Sequence, residues 1–531
     1  MKMTFVALLM LVLNVSLAQN QEVWVNEKAS PFYPNEPTIA INRLNPSLIV
    51  VCANINNQYV SHDTGKSWEY QTLESSYGVY GDPVLHATSD GMIYLTHLSK
   101  TSGKKKEKKY RFIDRMVVQP STDGSDFDNG SDVGYNDDKI QDKPWLSSND
   151  AIGEIYITWT EFDRMNSKRK KDESRIRFAK SQDSAASWSN AITISDGVGD
   201  CVDDDHTLEG ATTAIGPNGT IYCVWAGHNL LYFDKSDDRG KTWGADKIIG
   251  EQQSGWVMDI PEVYRTNGMP FIVCDQSDSP HRGRLYLVYG DTLHGDADIF
   301  LRSSDDEGST WSQPLRVNHD SIGNGKSQYL PNLAIDQTTG DLAIIYYDRR
   351  ESENDLFNDV YLALTRDGGA TFKEIKLNTW ITPPHGKTSF SGDYIDLDFH
   401  NGQIATVWSS FLDQQRLFSK VVNVGEFDDY FAPILKLQIA FYTTNHGQHR
   451  KLYVRLNQPV QVEYGYQYTK QHLWFGRKRV SVSAKASVNC PADGTKEVEY
   501  EVDYPKASRY TFQLKMTNGE RQVFKTETIS R

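Results

Sequence analysis

One turn, repeated along the chain, limits what it can fold into more than any other feature. Leu301–Pro314 reads LRSSDDEGSTWSQP, and its core, Ser304-x-Asp306-x-Gly308-x-Thr310-Trp311, has close copies at Ser61–Trp68 and Ser236–Trp243. Thr365–Phe372 keeps the shape with conservative changes, Ser181–Trp188 carries Ala185 in place of the Gly, and Ser121–Phe127 is one residue short. In each, the Asp and Ser/Thr side chains can bond the loop's own backbone, Gly supplies a positive φ, and the aromatic pins the turn onto a sheet.

Between these turns the chain reads as short strands. The fullest unit is an inner strand, a Gly turn, a strand of the form IYxxW, a loop, a third strand, the Ser-x-Asp turn and a short fourth strand. The second strand is legible as Ile93-Tyr94-Leu95, Ile155–Trp159, Ile221–Trp225, Leu285–Tyr289, Leu342–Tyr347 and Ile404–Trp408. Modules are expected to start at Pro37, Pro83, Pro144, Gly210, Pro261, Pro331 and Tyr394. A four-stranded repeat of roughly 45–65 residues implies an all-β fold, a β-propeller of seven blades, with six as the fallback. The last module, ending near Val424, has only three strands, and the lone alternating segment Glu22–Lys28 is placed to supply its fourth. From about residue 426 the rhythm changes: Leu452–Tyr468 and Lys496–Tyr504 alternate with no such turn, which predicts a C-terminal β-sandwich-like domain over 426–531.

Residues 1–18 read as an export signal, with Lys2, the apolar core Phe5–Ala18 and the small-x-Ala site Ser16-Leu17-Ala18. The alternative is an N-terminal membrane anchor, but the core is short for a span and no further segment could cross. The protein is therefore expected to be secreted, periplasmic or at the cell surface. A net charge of −14 argues against general nucleic-acid binding. The five cysteines are scattered and form no CxxC; one disulfide is conceivable, a structural zinc is not supported.

These repeats resemble the Asp-box (bacterial neuraminidase) repeats of sialidase-like propellers, over roughly residues 30–425. The resemblance implies that the repeated turn lies on the face away from the active site and does no chemistry. It also implies a glycoside hydrolase in which arginines hold the sugar, a Tyr assisted by a Glu attacks, and an Asp is acid/base. The Arg-Ile-Pro that such enzymes carry near the N-terminus is absent here; the nearest position reads Asn35-Glu36-Pro37.

In a propeller the segments entering the innermost strands converge on one mouth of the axis. Aligning the modules there gives Glu36, Asp82, Lys143, Glu209, Ile260, Leu330 and Asp393, with Asp142, Asp259 and Glu262 close by. Such a ring of carboxylates has three readings: an acid/base pair for glycoside hydrolysis, ligands for a hard cation such as Ca²⁺, or ties between blades through backbone amides. On the first, two carboxyls from Asp82, Glu209, Glu262 and Asp393 do the chemistry, and Tyr394 is the one Tyr placed to act as nucleophile, with simple packing as its alternative. Glu36 and Lys143 then line the substrate, and Arg349 or Arg350 clamps the sugar or an anion unless each is spent on a neighbouring blade. No metal or other cofactor is required by any motif. Asp203-Asp204-Asp205-His206 matches no EF-hand and reads as a polar loop, with metal binding or His206 as a base as its alternatives, and Lys104–Lys109 with Lys168–Lys171 predict a basic rim patch, a solvated loop or a site for an anionic polysaccharide. Two functions stay open: an exported glycoside hydrolase of sialidase-like type, or a non-catalytic propeller that binds a glycan or a protein.

Overall fold

A computed structural model describes residues 22–26, 34–100, 113–136, 138–379, 390–411 and 415–429, together with the backbone of seven strands between 437 and 530. The expected leader and the loop Lys104–Lys109 lie outside the described residues.

The wholly buried second strands explain the architecture. Glu154–Phe162, Ile221–Gly227, Leu285–Asp291 and Leu342–Asp348 are buried along their entire length. A strand buried on both faces needs a sheet on either side, which stacking sheets face to face around an axis supplies. Seven four-stranded antiparallel sheets are built in this way. Their inner strands are Thr38–Ile41, Val84–Ala87, Ile140–Asn149, Glu209–Ile215, Phe271–Cys274, Gln328–Ile335 and Asp396–His400, and each contacts the next, the last returning to the first. Apolar clusters run between neighbouring blades: Tyr222, Val224 and Phe233 of blade four pack with Leu285, Leu287 and Tyr289 of blade five. Each such buried side chain contributes about 1.5–3 kcal/mol. Trp159, Trp225 and Trp408, from three second strands, are among the largest fully buried side chains.

The expected closure is present. Val23–Trp24 pairs antiparallel with Gln415–Asn423 as the outer strand of blade seven. The ring is thus seven-bladed, tied by its N-terminal segment.

Strand direction fixes what each end of the axis carries. Inner strands start at one face; two reversals later the turn between third and fourth strands lies at the other. The Ser-x-Asp turns are therefore remote from the entry mouth. Their geometry repeats: Asp306 Oδ1 accepts from the Thr310 backbone at 2.8 Å, Oδ2 from the Thr310 hydroxyl at 2.6 Å, and Ser304 Oγ accepts from the Gly308 backbone at 3.0 Å. The same set occurs at Asp63, Asp238 and Asp367.

Two sequence expectations need correcting. Module five does not start at Pro261: its inner strand is Phe271–Cys274, so the entry dipeptide is Met269-Pro270 and the preceding residues form an extra arch. The mouth residues also do not all precede their strands. In blades three, four and six they sit in a bulge within the inner strand, at Asp142/Trp145, Glu209/Thr212 and Tyr329/Asn332. The reason is local: Glu36, Asp82, Lys143 and Leu330, each before a Pro, hold φ between 49° and 51°, and Gly210 holds 71°. That left-handed kink re-aims the side chain toward the axis, as bulges do.

Cys52, Cys201, Cys223 and Cys274 are buried free thiols. Among the described residues no helix is long and apolar enough to cross a membrane. After a short helix, Glu426–Asp429, the C-terminal strands form a three-stranded and a four-stranded antiparallel sheet.

Candidate active site

Four blades meet at the mouth through one cation. Lys143, from blade three, ion-pairs with Asp393 of blade seven, 250 residues away, and its Nζ lies 3.5 Å from Asp82 Oδ2 and 3.7 Å from Glu36 Oε1. Glu36 accepts from Asn54 Nδ2 and from the Asp393 backbone N–H at 3.2 Å. Asp82 is positioned by its own N–H, which donates to Asn54 Oδ1 at 2.7 Å.

A second cation enters from a residue that the sequence alignment missed. Arg265 sits on the arch that connects blade four to blade five, which is closed by a bridge between Val257 and Asn267. Its guanidinium pairs with Asp393 through Nε at 3.0 Å and through Nη2, and with Asp203 Oδ2 at 3.1 Å, while stacking 4.7 Å from the Phe390 ring centroid. The signal was available: Met269-Pro270 repeats the X-Pro entry dipeptide of four other blades, and anchoring blade five there exposes the arch as an insertion. The Asp203–Asp205 loop holds this arch, with Asp203 Oδ1 accepting from Trp256 Nε1 at 3.3 Å and Asp205 Oδ1 from the Val257 N–H at 2.9 Å.

The carboxyls of the mouth fall into two groups. Burial alone would raise Asp393, but Lys143 and Arg265 outweigh it and hold its carboxyl at about 2. Burial pushes Glu36 well above the usual carboxylate range, and Asp82 adds to the shift against Lys143. On the blade-three and blade-four side the acids are less compensated. Burial drives Asp142 up to about 7, with Asp82 and Asp203 adding to it against Lys143. Glu209 is raised strongly by burial and then by Asp203 and Asp142. It is 1% exposed, and neither carboxyl oxygen has a hydrogen-bond partner. Lys143 itself, which burial would neutralise, is kept charged by Asp393, Asp82 and Glu36.

Several expected roles do not survive this geometry. Glu262 is exposed on the arch, at φ 56°, and is not part of the converging cluster. Tyr394 is buried edge-on against Trp145, and its hydroxyl donates to the Pro83 carbonyl at 3.2 Å, so it is a packed residue and not a nucleophile. Arg349 is fully buried and donates to Asn358 Oδ1, Pro261 O and Asp355 O at 2.6–2.8 Å. Arg350 is consumed by Asp348 and Glu374, at 2.7 Å each. Neither arginine is a sugar clamp, because each finds carbonyls and carboxylates of its own scaffold first. Glu36 and Lys143 are at the mouth but are buried and spent on its internal pairs, so they shape the site from behind.

Among the described residues no group of three or more His, Cys, Asp or Glu side chains is arranged to hold a metal ion. Lys168–Lys171 are exposed, as the sequence suggests.

No protein-family model matches the chain, and no curated protein matches it. Solved structures with a similar fold include a Hadza microbial sialidase at 14% identity, covering 71% of this chain and 74% of that one with a TM-score of 0.41. Another is an α-L-arabinofuranosidase of Fusarium graminearum at 11%, covering 77% and 99%, TM-score 0.43. A third is a sialidase of Streptococcus pneumoniae at 8%, covering 71% and 83%, TM-score 0.42. All are remote; the propeller is read from the blades, and the chemistry from the mouth.

Proposed function

We propose that this protein is an exported, carbohydrate-active propeller, a glycoside hydrolase that applies two carboxyl groups of its axial mouth to one glycosidic bond. The observation that carries this reading is that two carboxyls in unlike surroundings share one mouth: burial keeps Asp142 as an acid up to about 7, and the Asp82 carboxyl lies 3.5 Å from the Lys143 ammonium. Hydrolysis by paired carboxyls needs that division of labour, an acid to protonate the leaving oxygen and a carboxylate to act on water or on the sugar. Asp142 takes the first role, passing its proton to the glycosidic oxygen as the C–O bond breaks. Asp82 takes the second. Asp393 is a positioning residue, since its charge fixes Lys143 and Arg265 beside the pair.

The test is turnover across a panel of aryl glycosides and natural oligosaccharides. Asp142→Asn should lower kcat/KM on the responsive glycan about 100-fold or more while substrate still binds. The wild-type profile should fall above roughly pH 7, where Asp142 loses its proton, and the variant should lack that limb. Full turnover in both Asp142→Asn and Asp82→Asn would end the assignment.

One observation favours a second reading, a non-catalytic propeller that recognises a glycan or protein. Glu36 and Asp393, two buried carboxyls of the mouth, are engaged in ties between blades seven, one and three. Ligand binding with no sugar released from any panel member would select it.

A further inference from the structure

Resting on that reading, we infer that the mouth selects a sugar carrying a free amine, whose ammonium group docks on Asp203 beside Asp142 with the unpartnered carboxyl of Glu209 behind them. The argument begins with charge. Six carboxyl groups share the mouth with two cations, and both cations pair with the same carboxylate, Asp393. Lys143 and Arg265 meet on Asp393, so the blade-seven side is compensated twice over. On the side of Asp142, Asp203 and Glu209 the only ion pair among the described residues is the one from Arg265 to Asp203, whose side chain is 19% exposed.

Glu209 turns this imbalance into a site. A carboxyl 1% exposed with neither oxygen bonded is a costly arrangement, and a fold that ties its other deep carboxyls to amides and cations leaves this one open. A cation brought to Asp203 and Asp142 offsets that cost, and a sugar ammonium supplies three donors with its charge. A hydroxyl or N-acetyl group supplies donors without charge, and a sugar carboxylate is repelled. A bare divalent ion fits less well, since it needs several converging oxygens and no group of three such side chains is arranged for one among the described residues.

The arrival of a cation also moves a proton. Without ligand, burial and its acidic neighbours keep Glu209 protonated at pH values where a free glutamate is ionised. The ammonium stabilises the carboxylate, the O–H bond of Glu209 breaks, and the proton leaves to the buffer.

Calorimetric titration of the full chain with methyl β-glucosaminide, its N-acetyl counterpart, methyl β-glucoside and CaCl₂, in two buffers of different ionisation enthalpy at slightly acidic pH, tests this. The glucosaminide should bind about tenfold or more tightly than the other two glycosides. Its binding should release a proton. Glu209→Gln should keep binding but lose the proton release, and Asp203→Asn should abolish the preference. Equal affinities for the three glycosides, unchanged proton release in Glu209→Gln, or the same proton released by CaCl₂ at comparable affinity would each overturn the inference. Neutral glycosides cleaved without amine preference would remove the inference and leave the hydrolase standing. If no panel glycan is bound or cleaved, the hydrolase reading falls and the inference with it.

Discussion

Lys143 and Glu209 show opposite solutions to burying a charge, and they predict opposite mutational outcomes. Lys143 is surrounded by three carboxyl groups, and its loss strands the charge of Asp393 in a dry site. Breaking a buried pair of this kind costs about 3–5 kcal/mol, and Lys143→Met should lower stability by that amount in urea titration. Arg265→Ala should cost less, because its side chain is 37% exposed and water replaces part of what is lost. Glu209 has no such partners. Its folded-state pKa is raised, so the native protein holds a proton that the unfolded chain sheds near pH 4, and stability falls as pH climbs past that point. Glu209→Gln removes the titration. It should stabilise the protein by about 1–3 kcal/mol at pH 8 and change little at pH 5, read from urea midpoints at both values. An equal effect at the two pH values would show that Glu209 is not buried as an acid.

The repeated turn does its work against the preceding blade. Gly308 has φ 76°, and a Cβ there would come within 2.2 Å of Phe233 Cζ in blade four; Gly240 stands in the same relation to Phe178 of blade three, at 2.3 Å. The turn aromatics finish the contact, Trp311 on Phe233 and Trp243 on Phe178, both edge-on. The Gly is therefore demanded twice, by backbone conformation and by space. Ala185, at φ 64°, tests which demand is larger, because it packs in the same cluster as Met116 and Val118 of blade two, which leave room for a methyl. Gly308→Ala should cost about 2–4 kcal/mol, as overpacking adds to strain, whereas Ala185→Gly should gain up to about 1 kcal/mol by relieving strain alone. Thermal unfolding of the two variants decides it, and equal and opposite shifts would mean that the aromatic contact is irrelevant. The turn aspartates add a pH signature: Asp238, Asp306 and Asp367 are held at about 2 by the donors around them, so the stability they contribute is present above pH 4 and lost as pH falls toward 2. Because this element is local in sequence, every part of it could be read from the chain. The mouth was legible where an entry residue stands beside a Pro or a Gly, before Pro at Glu36, Asp82 and Lys143 and next to Gly at Glu209 and Asp393. Arg265 escaped because its arch displaced the frame of blade five, and Arg349 and Arg350 misled because a guanidinium's destination depends on which carbonyls another segment brings near, here Pro261 O. That Lys143 would choose Asp393 is a property of ring closure, and no local pattern encodes it.

At the scale of the whole molecule, the mouth exists only while the ring is shut. Blade seven supplies Asp393 and blade one Glu36, and the two are bonded to each other across the closing seam. The seam is secured twice: near the axis by Asp396, which accepts from Thr38 Oγ1 and the Ile39 N–H at 2.9 Å each, and at the rim by Val23–Trp24 on blade seven. The rim strand is short but well anchored. Trp24 stacks on Phe418, the Arg416 guanidinium lies over the Trp24 ring at 4.6 Å from the centroid, and Glu22 accepts from the Thr379 N–H at 2.7 Å and its hydroxyl at 2.6 Å. Removing it exposes the edge of Gln415–Asn423 and lets blade seven pivot about its inner strand. A chain lacking residues 1–26 should therefore melt about 2–4 °C below one lacking residues 1–18, a difference of about 2–4 kcal/mol, the two differing by little more than the closing strand. The consequence at the mouth is the sharper test. With the seam loosened, Asp393 drifts from Lys143, and the ion pair that positions Lys143 beside Asp82 is no longer held; the shorter chain should lose activity at temperatures where it is still folded by circular dichroism. If activity and ellipticity are lost together in both chains, the closing strand stabilises the ring as a whole and has no special hold on the mouth.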